Sequence, residues 1–225
     1  MLRQTKGAGA TKPPPAHGSA WLRAGAWVGL TAVFGDVALP HVIALWQPGY
    51  SHLAQYMSEL AVPGKAGAQL LSAWWMASGV GFVAFAFTLH KSTSAGPAAW
   101  LGPLAIATYG IFTGVGSGAF PCDEGCVGAT LSGRLHDELN AIGALTQLVA
   151  PGACWWRWRK TEEPPVFRRW TALAQGVLLL TFAAFIVMGE HTHGAPDSLA
   201  GLTQRLYQGS FYVWLSALAL TLVRR

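Results

Sequence analysis

The chain has 225 residues, 52% of them hydrophobic and 11% charged, with a mean hydropathy of +0.35. Charge is well under the roughly 25% of soluble domains, which excludes an ordinary water-soluble globule and places the chain in the membrane class. The formal charge of +5 lies in short basic blocks between apolar runs, so it reads as membrane topology and excludes a nucleic-acid-binding surface.

Residues 1–18, MLRQTKGAGATKPPPAHG, are basic and rich in Gly and Pro. Such a segment cannot bury enough apolar area to offset its ordering entropy, so a flexible tail is expected, with one transmembrane domain over 19–225. The apolar stretch behind it is too long for a signal-peptide core and has no clean cleavage site, so it is expected to be retained. Apolar length, broken by Gly, Pro and charge, predicts spans at 24–46, 69–90, 97–120, 135–156, 170–189 and 206–223. The expected fold is an all-α, polytopic, six-helix transmembrane bundle. With the N-terminus inside, twelve of fifteen Lys and Arg fall on the cytoplasmic side and only Lys65, Arg134 and Arg205 outside; an odd number of spans would spoil that partition. Both termini are therefore expected in the cytoplasm, the chain in the cytoplasmic (inner) membrane, and membrane lipids are the expected partners. The same orientation brings five of seven histidines and seven of ten acids to the outer face.

Asp36 stands near the middle of the first span, where an intramembrane carboxylate is costly and by default a functional hypothesis, here a candidate proton site. The alternative is a neutral, hydrogen-bonded Asp that positions helices. In the first outer connection, PGYSHLAQYMSELAVPG, a turn of about 100° per residue places His52, Gln55, Ser58 and Glu59 on one arc and Leu53, Tyr56, Met57 and Leu60 on the other. This predicts a short amphipathic helix, either lying in the interface or roofing a site between the spans. Gly110, Gly114 and Gly118 form a stripe in the third span that suits close helix contact.

In the second outer connection Cys122 and Cys126 flank two acids, and a local disulfide, free thiols and a metal site are all open. Ser132 is the expected cap of the fourth span, with His136 and Asn140 one turn apart on a single face. His136 is read either as a buried hydrogen-bonded group or as part of a site. The third outer connection carries His191 and His193, which with His52 and His136 are weak candidate metal ligands, so no metal is assigned. Arg205 begins the last span, where it could pair with an acid or bind a lipid phosphate. No phosphate loop, nucleophile elbow or HExxH motif is present, and no cofactor is indicated.

The order of four motifs, Tyr50-Ser51 with Ser58-Glu59-Leu60, Phe120-Pro121-x-Asp123, His136, and Gly201-Leu-x-Gln-Arg205, resembles the bacterial and archaeal membrane family called "domain of unknown function 998". The resemblance spans roughly residues 20 to 223 and implies a six-helix membrane protein with no activity attached. It implies interest in Ser58, Glu59, Asp123, His136 and Arg205, without roles. A fainter similarity is to membrane hydrolases related to alkaline ceramidases, which place Ser, Asp and His around a metal between seven helices; this chain has six expected spans and no His-x-x-x-His pair. Three functions are open: a non-enzymatic component handling a small solute or lipid, a metal-assisted lipid hydrolase with Asp123, His136 and another histidine as ligands and Glu59 as base, and a proton-coupled carrier using Asp36.

Overall fold

The computed structural model describes residues 17–92, 99–159, 165–190 and 198–224. Most of the expected tail, and His191 and His193, lie outside the described residues. Among the described residues the fold is helical throughout, with no strand.

α1 (His17–Ala44) and α2 (Ala68–Ser92) form the first two rods. The third rod is composite: α3 (Leu101–Tyr109), a π turn (Gly110–Val115) and α4 (Gly116–Ala119). α5 (Leu131–Trp158) follows, then α6 (Pro165–Ala184), prolonged by a second π turn (Phe185–Glu190), and finally α7 (Ala200–Val223). α1 packs on α2 and α7, α2 on α3, α3 on α5, α5 on α6 and α6 on α7, which closes the rods into a ring.

Four helical stretches, Ala20–Ala44, Ala68–Ser92, Phe167–Met188 and Ala200–Val223, are long and apolar enough to cross a membrane. The third rod is interrupted by its π turn, and α5 opens with Arg134, His136, Asp137, Glu138 and Asn140, so these two are less uniformly apolar. Every rod nevertheless exposes large apolar side chains: Phe34 (74% exposed), Val80, Leu104, Val149, Leu180 (73%) and Val213. An apolar surface this extensive is foreign to a soluble monomer and suits lipid.

Between apolar helices in lipid there is no hydrophobic drive, so close packing must hold them. A Cβ on Gly79 of α2 would lie 2.6 Å from the Val115 amide nitrogen, and one on Gly110 2.6 Å from the Gly79 carbonyl oxygen. The glycine stripe of the third rod thus faces a glycine on α2, and backbone meets backbone. Next to this contact Phe82, Tyr109, Phe211, Tyr212 and Trp214 interlock as an aromatic core.

The first connection, between α1 and α2, differs from the expected amphipathic helix. It is a folded loop ending in a single 3₁₀ turn, Met57–Ala61, whose Glu59, Leu60 and Ala61 are buried. The helical arc fails because Glu59 and Gln55 spend their polar atoms on this loop instead of on headgroups or water.

Candidate functional site

The loop from Tyr50 to Ala61 is held from within and from α7. The Tyr50 hydroxyl donates to the Tyr56 carbonyl (3.0 Å). Gln55 accepts from the Ser51 amide (2.8 Å) and donates to Glu59 Oε2 (2.9 Å), while Glu59 Oε1 accepts from the Tyr56 amide (2.9 Å). From α7, the Leu202 amide donates to the Leu53 carbonyl (2.9 Å) and Gln204 accepts from the Met57 amide (2.7 Å). Arg205 reaches the carbonyls of His52 (2.9 Å) and Gln55 (3.1 Å) and the Tyr50 hydroxyl. A Cβ at Gly201 would lie 2.6 Å from the His52 carbonyl oxygen, so only glycine lets α7 come this close. The Gly-Leu-x-Gln-Arg stretch is therefore a clamp on the first loop. Among the described residues Arg205 forms no ion pair with an acid; its Nη1 goes to backbone carbonyls and its Nη2 to the Tyr50 hydroxyl, while Nε has no hydrogen-bond partner.

The second connection is tied down similarly. Asp123 accepts from the Thr130 amide (3.0 Å) and hydroxyl (2.6 Å), and these bonds hold its carboxyl below the usual carboxylate range. Thr130, rather than the expected Ser132, caps α5 by accepting from the Gly133 amide (3.1 Å); Ser132 instead donates to the Pro121 carbonyl (2.8 Å). His136 Nδ1 donates to the Phe120 carbonyl (2.8 Å). The sulfurs of Cys122 and Cys126 stand at disulfide distance, and the Ser58 hydroxyl lies 3.3 Å from Cys126 Sγ, joining the two connections. An ion pair between Lys65 and Glu124 (2.9 Å) adds little, since Glu124 is exposed.

Beneath this roof, inside the ring, is a chamber of about 690 Å³. That is within the range of small-molecule sites. Ser58, Gln204 and His136 line it near the roof, and Tyr109, Gln208 and Asp36 lie on its wall. Both π turns reach it, through Thr113 and Gly114 on one side and Phe185 and Ile186 on the other. Such turns are frequent at functional sites because they displace side chains out of helical register. Leu145 of α5 and Ile186 line the chamber yet are 60% and 41% exposed, so it opens sideways between α5 and α6, towards the apolar surroundings.

Asp36 is buried on the chamber wall. Trp74 Nε1 donates to its Oδ1 (2.7 Å) and the Tyr212 hydroxyl to its Oδ2 (2.8 Å). The Tyr109 and Tyr212 hydroxyls are 2.8 Å apart, and Gln208 Nε2 donates to both (3.0 and 2.9 Å). Near the roof, Asn140 donates to the His136 carbonyl (2.8 Å) and exchanges hydrogen bonds with Ser117.

A family model described as "Protein of unknown function (DUF998)" matches residues 30–221. The chain belongs to this family. No curated protein and no solved structure matches it. In this DUF998 protein the residues singled out in the sequence divide by place. Ser58 and His136 line the chamber, whereas Glu59, Asp123 and Arg205 are engaged in holding the roof. Asp36, read as a separate intramembrane acid, lines the same chamber.

Tyr109 and Tyr212 were not legible as site residues. The available signal was the i, i+4, i+8 row Gln204, Gln208, Tyr212 on α7, which puts polar groups on one inward face. For a metal, the donor set does not assemble among the described residues: no three His, Cys, Asp or Glu come together. His52 stacks on His41 (4.8 Å between centroids), while Asp123 and His136 are engaged by Thr130 and the Phe120 carbonyl.

Proposed function

We propose that this DUF998 protein is a six-span protein of the cytoplasmic membrane, with both termini in the cytoplasm, whose chamber binds a small amphipathic solute or lipid-derived molecule near its extracytoplasmic end. The observation that carries this reading is the chamber, polar on its wall and roof and open sideways between α5 and α6. Lipid-facing apolar residues on every rod support six spans, and the partition of Lys and Arg supports the orientation. Binding is favoured over catalysis because Asp123, Glu59 and Arg205, the charged groups of the roof, already serve its structure.

Native mass spectrometry of protein extracted in mild detergent tests the reading. A stoichiometric small amphiphile is expected on the wild type and lost in Ala144→Trp, which would fill the chamber that Ala144 lines. Equal occupancy of both proteins would overturn it. Labelling of Lys160→Cys by an impermeant maleimide added from outside would overturn the orientation.

A further inference from the structure

We infer that the chamber takes an organic cation, an amphiphile with an ammonium- or phosphonium-type head, which exchanges for a proton carried by Asp36 and relayed through Tyr212 and Tyr109. This rests on the chamber reading above and names the ligand class.

Charge is the first argument. The lining includes two aspartates, Asp36 and Asp137, and neither Lys nor Arg. Five aromatic side chains, Tyr56, Trp75, Tyr109, Phe182 and Phe185, share the wall, and ring faces attract cations most strongly where water is excluded. The same lining repels an anion. Entry between α5 and α6 suits a solute that partitions into lipid before it binds.

The second argument is the state of Asp36. Its oxygens accept from neutral donors only, Trp74 of α2 and Tyr212 of α7, while the Ser78 hydroxyl donates to the Trp75 carbonyl. Among the described residues no cationic side chain pairs with it. A carboxylate so buried must take up a proton or meet a cation from elsewhere. The titratable groups facing it are Tyr212 and, behind it, Tyr109; α2 offers Trp74 and Ser78, which do not titrate.

The third argument is the relay. With Asp36 ionised, Tyr212 donates to the carboxylate and Tyr109 to the Tyr212 oxygen. Gln208 donates to both hydroxyls, which leaves its own carbonyl and a lone pair of Tyr109 as acceptors towards the chamber. A proton arriving at the Tyr109 oxygen moves the Tyr109 hydrogen to Tyr212 and the Tyr212 hydrogen to Asp36 Oδ2. Each hydroxyl gains one hydrogen and loses one, and the Tyr109–Tyr212 and Tyr212–Asp36 bonds reverse while Gln208 goes on donating to both hydroxyls. Tyr109 then presents a donor to the chamber, and the negative charge is gone. The ionised state welcomes a cation; the protonated state rejects it.

Purified protein in detergent is titrated with tetraphenylphosphonium, with its isosteric anion tetraphenylborate, and with neutral dodecanol, from pH 5 to pH 8. The wild type is expected to bind the phosphonium at least about tenfold more tightly at pH 8 than at pH 5, to release one proton per cation in weak buffer, and to ignore the borate. Asp36→Asn is expected to abolish both the binding and its pH dependence. Tyr212→Phe leaves the carboxylate in place but removes a donor to its charged form, so the pH of half-maximal binding should rise by about one unit, tenfold in proton affinity. Equal binding of the borate, or phosphonium binding indifferent to pH and to both substitutions, would overturn the cation proposal and leave the chamber reading standing. If neither ion nor dodecanol binds, the chamber reading falls and takes this proposal with it.

Discussion

Arg205→Ala isolates the clamp between α7 and the first loop. In the wild type the guanidinium serves four acceptors: the carbonyls of His52, Gln55 and Gly201 and the hydroxyl of Tyr50. The Gly201 bond is local to α7, so its loss costs little. The other three cross to the loop. Hydrogen bonds from a charged donor contribute about 1.5–3 kcal/mol each when sheltered, and the two cross-linking carbonyls would be left without that partner. Arg205 is only half-buried and water can replace part of the loss, so about 2–4 kcal/mol is expected. Arg205→Lys should fall between, because one ammonium cannot span acceptors that the planar fork reaches together. Equilibrium unfolding in detergent gives the energy, and hydrogen exchange locates it: the Met57 and Gln55 amides should lose protection while α2 keeps its own. Unchanged stability and unchanged exchange over residues 50–57 would refute the clamp.

Two further predictions test packing and charge. Gly79→Leu should destabilise the protein by at least about 3 kcal/mol or prevent its accumulation, since its Cβ alone would lie 2.6 Å from the Val115 nitrogen; Gly176→Ala, with nothing within 4 Å, should be neutral or stabilise by up to about 1 kcal/mol. Thermal unfolding of the pair decides it, and equal tolerance at both sites would refute the backbone contact. His52 is held below the ordinary histidine value, first by partial burial and then by Arg205 and His41. Its folded value lies below its unfolded one, so protonation favours the unfolded chain. Stability should be complete above about pH 6.5 and decline as the pH falls through the folded value, and His52→Gln should flatten that decline in pH-dependent unfolding.

Much of the fold was legible because lipid acts on composition directly. Apolar length located the rods to within a few residues at most ends: the expected 69–90 is α2, Ala68–Ser92, and the expected 135–156 lies inside α5, Leu131–Trp158. The Gly110, Gly114 and Gly118 spacing announced a close helix contact, since a four-residue repeat must lie along one helix face. The first loop was misread for a related reason. Its amphipathic arc assumed a helix, and the side chains of Gln55 and Glu59 offered the backbone another set of partners. Ser132 was misplaced as a cap because Asp123 and Thr130 meet across a turn that spacing does not encode.

What the sequence by itself determined was the membrane class, the helical rods and the inventory of polar residues that had to find partners within them. These follow from hydropathy, charge and periodicity, which are properties of short segments. Which polar residues meet was decided only in three dimensions. Asp36 finds Trp74 at a separation of 38 residues and Tyr212 at 176, and Arg205 finds His52 at 153. Closing the ring of rods is what makes these neighbours. In a dry interior, where an unpaired polar group is costly, the same closure divides them into a clamped roof and a chamber.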